Sequence, residues 1–171
     1  MKSRIIPIFS WIVVIWTCKV FLSSLPYKFS GHPDTQHIFG TIGVWMQETI
    51  SKGLGQWFVE NGAVTVGVFE LFASLLLLSP IVFWAIKKFN IATNVPSRAL
   101  VHALGGLLSA GVMAGAMFFH LVTPLGIEVL HNGVSDGGSL FYAAVSIFVF
   151  GLILAAVNGS IVRCQCNKVS Q

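Results

Sequence analysis

Residues 62–86 read GAVTVGVFELFASLLLLSPIVFWAI, a predominantly apolar run whose single charge is Glu70. At 1.5 Å per residue, a helix of this length crosses about 30 Å of hydrocarbon. Three further runs resemble it. Residues 5–25 are interrupted only by Lys19, with Pro7 in the first turn, where a missing N–H costs little. Residues 99–123 and 139–162 contain no Asp, Glu, Lys or Arg. The sequence therefore predicts an all-α fold, a four-helix transmembrane bundle. Composition agrees: the 171 residues are 55% hydrophobic and 9% charged, against roughly 25% charged in soluble domains. That balance excludes an ordinary soluble enzyme, and the 14 Phe and 5 Trp exclude a disordered chain. The length fits a single integral membrane domain over residues 1–171. Lys2 and Arg4 before the first run also fit a signal peptide, but Lys19 interrupts the run and no A-x-A-like site follows, which favours a retained span.

The basic residues choose an orientation. Lys2 and Arg4, then Lys87, Lys88 and Arg98, then Arg163 and Lys168 alternate onto one side of the four spans. The opposite loops hold Lys28 and Lys52 beside Asp34, Glu48, Glu60, Glu128 and Asp136. The positive-inside rule then places both termini in the cytoplasm. The formal charge of +4 comes from these scattered flanks and points to no nucleic-acid partner; the partner is the lipid bilayer.

The first outer loop is long enough to contain structure of its own. Asp34 is a good N-cap, and Ile38, Phe39, Ile42, Trp45, Met46 and Ile50 recur at helical spacing. This predicts a short amphipathic surface helix over residues 35–50, ended by Gly53 and Gly55 and packed as a lid over the spans. Within the spans, Gly106, Ala110 and Ala114 form one row of small residues, Gly111 and Gly115 a second, and Gly151, Ala155 and Gly159 a third. Rows at this spacing let helices approach closely. They predict packing of the third span on the fourth, with a homodimer as the alternative use.

Ionisable groups within the spans are costly and tend to face a bundle interior or a pathway. Lys19 lies about 9 Å, and Glu70 about 12 Å, from the outer ends of their spans. These depths predict a buried Lys19–Glu70 ion pair; the alternative has Lys19 snorkelling along its own span with Glu70 neutral. Gly67, Ala73 and Ser74 share the face of Glu70 and leave room for a ligand. His120 and Tyr142 are placed near the same level. Lys19, Glu70 and His120 are thus the candidate catalytic residues, with Tyr142, Ser74, Gly67 and Trp45 as the candidate ligand-binding set. Such groups suit a quinone headgroup, whose two-electron chemistry requires proton uptake and release. An interfacial His and an aromatic-belt Tyr are the plainer reading of the last two.

Other cofactors fare less well. His102 and His120 stand about 27 Å apart on one helix and cannot share a haem. His32, His37, His120 and His131, with Asp34 and Glu128, offer nitrogen and oxygen ligands, but no HxxxH or HExxH spacing occurs and no metal ligand is assigned. Cys18 lies in a span, and Cys164-x-Cys166 is a weak metal signal in a reducing compartment. No nucleophilic triad, P-loop or dinucleotide fingerprint is present.

Residues 25–31 (LPYKFSG), 37–43 (HIFGTIG), Glu70, residues 120–126 (HLVTPLG) and Asp136-Gly137-Gly138 together resemble the DoxX-like membrane proteins. The resemblance runs from the first span into the fourth. It implies a four-helix bundle of the bacterial cytoplasmic membrane. Members have been grouped with a small membrane subunit of thiosulfate:quinone oxidoreductase, and others with redox-stress assemblies or membrane chaperoning. Of the candidate residues the resemblance carries over only the acidic position, Glu70. The absence of a paired-cysteine motif on the outer face argues against direct thiol–disulfide catalysis. Two functions follow as expectations: a membrane subunit of a redox system that binds a quinone or similar amphiphile and works with a redox partner protein, or a non-enzymatic assembly or chaperone-like scaffold contacting a client through Trp45 and Gly111. Metal or small-solute transport ranks below both, since four spans form a thin bundle without broken-helix repeats.

Overall fold

The computed structural model describes residues 2–169, and the side chains of residues 5–165 and Asn167. It contains α1 (Lys2–Phe29), α2 (Pro33–Thr49), α3 (Lys52–Lys88), α4 (Arg98–Val122), β1 (Leu130–His131), β2 (Val134–Ser135) and α5 (Ser139–Val169). Four of these helices, α1, α3, α4 and α5, are long and apolar enough to cross a membrane. The chain is an all-α four-helix bundle with the make-up of a multi-pass membrane protein.

Helices α2, α3 and α4 begin where their sequence satisfies the exposed N–H groups of the first turn. Ser51 Oγ accepts from the Leu54 amide and Ser97 Oγ from the Leu100 amide. At α2 the cap is His32, whose ring accepts from the amide of Asp34, with Pro33 in the first turn. The expectation that Asp34 caps α2 is corrected: Asp34 lies inside the first turn, where its charge favours the helix dipole. Gly53 and Gly55 do not end α2 either. They open α3, because α2 packs against this stretch and holds it helical. A Cβ on Gly55 would lie 2.4 Å from the Gly43 carbonyl oxygen, so the two backbones touch through paired glycines.

In the bundle α1 packs on α3 and α5, and α4 packs on α5 and α3. The Phe29 ring sits where a Gly67 Cβ would be 2.8 Å away, so residues 52–66 of α3 project past the end of α1. That projection and α2 form a helical hairpin. The hairpin leans on the α4–α5 connection through Ile42, Met46, Leu125 and Val129, all buried. This is the capped end of the bundle. The basic end carries Lys87, Lys88, Arg98 and Arg163, while the side chains of Lys2, Arg4 and Lys168 lie outside the described residues. Two further clusters fill the bundle: Val13, Val14, Cys18, Leu77 and Leu154, then Phe21, Ala73, Met113, Ala144 and Ile147.

The α4–α5 connection is ordered by one carboxylate. Asn132 and Gly133 take positive φ (53° and 78°) in the tight turn joining β1 to β2. Beside it, Asp136 accepts from the amides of Val129, Gly138 and Leu140 and so caps α5. Burial alone would raise the Asp136 pKa, but these amides and the Ser139 hydroxyl outweigh it and hold the carboxyl below its ordinary value. A carboxyl whose pKa is lowered by folding contributes stability above its unfolded value, about 3.9, and loses that contribution as pH falls through the lower folded value. Acidification from about pH 4 downward is therefore expected to lower the hydrogen-exchange protection factors of the Val129 and Leu140 amides. Asp136→Asn should expose both amides at neutral pH; unchanged protection there would remove the assigned role.

Candidate functional site

Along α3, Gly67, Glu70, Ala73, Ser74 and Leu77 form one buried face. Glu70 is 3% exposed, which in a span demands a partner. That partner is Lys28, with its Nζ 2.7 Å from Glu70 Oε2. Ser24, one turn before Lys28, completes the cluster. Its Oγ lies 2.8 Å from both Lys28 Nζ and Glu70 Oε2, so it accepts from the ammonium and donates to the carboxylate. The same hydroxyl hydrogen has a second acceptor in the Phe21 carbonyl at 2.7 Å. Both side-chain bonds end on Oε2; Oε1 takes part in neither.

The expected Lys19–Glu70 pair is thereby corrected. Lys19 continues the exposed stripe of Ile5, Ile8, Ile12, Ile15 and Leu22 along the outside of α1. Its ammonium lies 5.8 Å from the Trp16 ring, an amphipathic arrangement suited to a helix flank. Depth alone placed Lys19 near Glu70; helical phase turns it away. The hydropathy of residues 5–25 ends the first span before Pro26 and puts Lys28 in the loop. The helix instead runs through Pro26 to Phe29, and the Ser24-x-x-x-Lys28 spacing was the available signal.

Lys28, Ser24 and Glu70 form part of the wall of a cavity of about 750 Å³. Its other walls are Val20 of α1, Ile38, Phe39 and Ile42 of α2, Phe58, Val66 and Phe69 of α3, α4 from Leu104 to His120, and Leu140, Ala143 and Ala144 of α5. Among the described residues, only Ser24, Lys28, Glu70 and His120 bring polar side chains to it. His120 is buried, and its Nδ1 lies 2.7 Å from the Gly126 carbonyl. A carbonyl only accepts, so Nδ1 carries the proton, and in the neutral ring Nε2 is left as an acceptor. Phe141, not Tyr142, packs on the His120 ring.

The remaining candidates divide. Ser74 is fully buried, but its hydroxyl bonds the Glu70 carbonyl within the helix. Gly67 seats Phe29 and with it the end of α1 that carries Lys28. Neither Ser74 nor Gly67 lines the cavity, and both act through the position of Glu70. Trp45 is half-buried beside the Ile42–Val129 cluster. Tyr142 is 61% exposed and, unlike Glu70 and His120, is not part of the cavity wall. The small-residue rows separate in the same way. Gly106 and Gly151 meet face to face, each Cβ position 2.7 Å from the other's carbonyl oxygen, whereas Gly111 and Gly115 border the cavity with nothing within 4 Å.

At the capped end, His131 bonds Asp34 through Nδ1 and stacks on His37 at 4.7 Å, tying the β-hairpin to α2. Glu128 bonds Ser135. Among the described residues no group of three or more His, Cys, Asp or Glu is placed to hold a metal ion. Cys18 is a buried free thiol and Cys164 an exposed one, while the Cys166 side chain lies outside the described residues. No family model, curated protein or solved structure matches this chain.

Proposed function

We propose that the chain binds a quinone or similar amphiphile in this cavity as the membrane subunit of a redox system, in the manner implied by its resemblance to the DoxX-like proteins. One observation carries the reading: the buried carboxylate of Glu70, paired with the partly buried Lys28 and Ser24, is set into the wall of an otherwise apolar cavity of about 750 Å³. Ligand pockets of about 300–1,000 Å³ with a few convergent polar groups are the usual form of such sites. A quinone, when bound, supplies a carrier of two electrons and two protons. Lys28 offers a hydrogen bond to a carbonyl oxygen, Glu70 fixes the ammonium, and His120 Nε2 takes up or releases a proton. The basic end faces the cytoplasm by the positive-inside rule, which directs the cavity to the outer leaflet of a bacterial cytoplasmic membrane.

Mass spectrometry of the organic extract from gently purified protein tests this. Stoichiometric quinone is expected with the native sequence and at least tenfold less with Glu70→Gln. Bulk lipid alone in both preparations would remove the reading. A scaffold role has its own support at the tip of the α2–α3 hairpin, where Val44, Ile50, Leu54 and Trp57 remain exposed. In that case Trp57→Ser releases a co-purifying client while Glu70→Gln retains it.

A further inference from the structure

From the shape, opening and charge balance of the cavity, we infer that its occupant is a single-chain amphiphile with an uncharged, hydrogen-bonding head, its chain lying along Gly111 and Gly115 toward Leu104. This inference rests on the reading of the cavity as an amphiphile site and adds the chain number and head charge that the site accepts.

The cavity is long and narrow. On α4 its wall runs from Leu104 to Phe119, about 22 Å at 1.5 Å per residue. A volume of about 750 Å³ lies within the about 300–1,000 Å³ typical of sites for drug-sized ligands. That suffices for a head and one long chain and falls short of a two-chain lipid.

Polarity is confined to part of the wall. Lys28, Ser24 and Glu70 lie together, His120 stands near the end of α4, and the stretch from Leu104 to Ala116 is apolar. Phe69, Leu104 and Leu107 are lining residues and are also about half exposed on the flank of the bundle. The cavity therefore opens sideways between α3 and α4, into the lipid-facing surface. Those helices touch nearer the basic end, where a Gly105 Cβ would lie 2.6 Å from Leu77 Cδ2. Gly111 and Gly115 make the room, because larger side chains there would enter the lumen.

Charge selects the head. The Lys28 ammonium is already neutralised by Glu70 at 2.7 Å. A phosphate or carboxylate head would compete with Glu70 for one cation and add a second anion beside it. An ammonium head would face Lys28. An uncharged head disturbs neither partner: it accepts from a remaining N–H of Lys28 or donates to His120 Nε2.

The test uses the full chain in nanodiscs and three probes with the same mid-chain diazirine: hexadecanol, hexadecyl phosphate, and phosphatidylcholine labelled on one chain. Irradiation with the hexadecanol probe is expected to place adducts between Leu104 and Ala116, displaced by excess hexadecanol. Gly111→Phe and Gly115→Phe should lower that labelling at least tenfold while keeping the native circular dichroism melt, since each new side chain enters open space. Equal labelling of this stretch by the phosphate or two-chain probe overturns the inference, as does labelling that survives both substitutions. Hexadecanol labelling without quinone in the extract would remove the proposed function and leave this inference standing. Quinone in the extract with a preference for the phosphate probe would do the reverse.

Discussion

Lys28→Met is expected to destabilise the bundle by about 3 kcal/mol, and Lys28→Met combined with Glu70→Gln to recover most of that loss. The single change leaves the 3%-exposed Glu70 without the ammonium that stands 2.7 Å from its oxygen. An unpaired buried charge is costly, whereas replacing both partners removes the desolvation of two ions together with their attraction. Ser24→Ala should cost about 1 kcal/mol, since one hydroxyl bridge is lost and the ion pair remains. Lys19→Met supplies the contrast. Its ammonium is exposed beside Trp16, so the change should stay within about 0.5 kcal/mol. Denaturant unfolding in detergent, followed by tryptophan fluorescence, measures all four. A double variant no more stable than Lys28→Met would show that the two side chains do not act as a pair, and a large loss in Lys19→Met would return the role to the residue that depth alone selected.

The contrast between these lysines marks what the sequence could and could not disclose. Hydropathy located the four spans because a bilayer permits few structures other than long apolar helices. Glu70 stood out for the same reason. Its partner did not, because depth is a one-dimensional coordinate and pairing also needs helical phase. Lys19 has the depth and lies on the stripe of Ile12, Ile15 and Leu22, while Lys28 sits past Pro26, where the span was taken to have ended. Residues 52–61 were hidden for another reason. Lys52, Gly53, Gly55, Glu60 and Asn61 read as a loop, and α2 packing through Gly43 holds them helical, a tertiary contact overriding local propensity. The Asn132-Gly133 turn is of the dipeptide type that closes a hairpin, a signal that hydropathy between two spans does not carry. The cavity was least accessible of all, since it depends on α3 and α4 parting on one side of their Leu77–Gly105 contact.

The small-residue rows yield the other large expected effect. Gly151→Leu should destabilise the bundle by at least about 3 kcal/mol or prevent its assembly. Its Cβ would lie 2.7 Å from the Gly106 carbonyl oxygen and 3.2 Å from the Ala110 amide nitrogen. Those are backbone atoms, so no rotamer change relieves the clash and α4 must move away from α5. Such a shift opens a backbone-to-backbone helix contact and forfeits the dispersion contacts that hold helices together where lipid is equally apolar. Gly106→Leu meets the reciprocal contact with the Gly151 carbonyl and should behave alike. Gly111→Leu, in the same sequence pattern five residues on, has nothing within 4 Å of its Cβ position and gains helix propensity of up to about 1 kcal/mol. Thermal melts in one detergent would separate the cases: a large loss at Gly106 and Gly151 with none at Gly111 assigns the first pair to helix contact and the third glycine to the cavity. A comparable loss at Gly111 would place that residue at a buried interface, either within the bundle or between copies, and the cavity would then need a different wall.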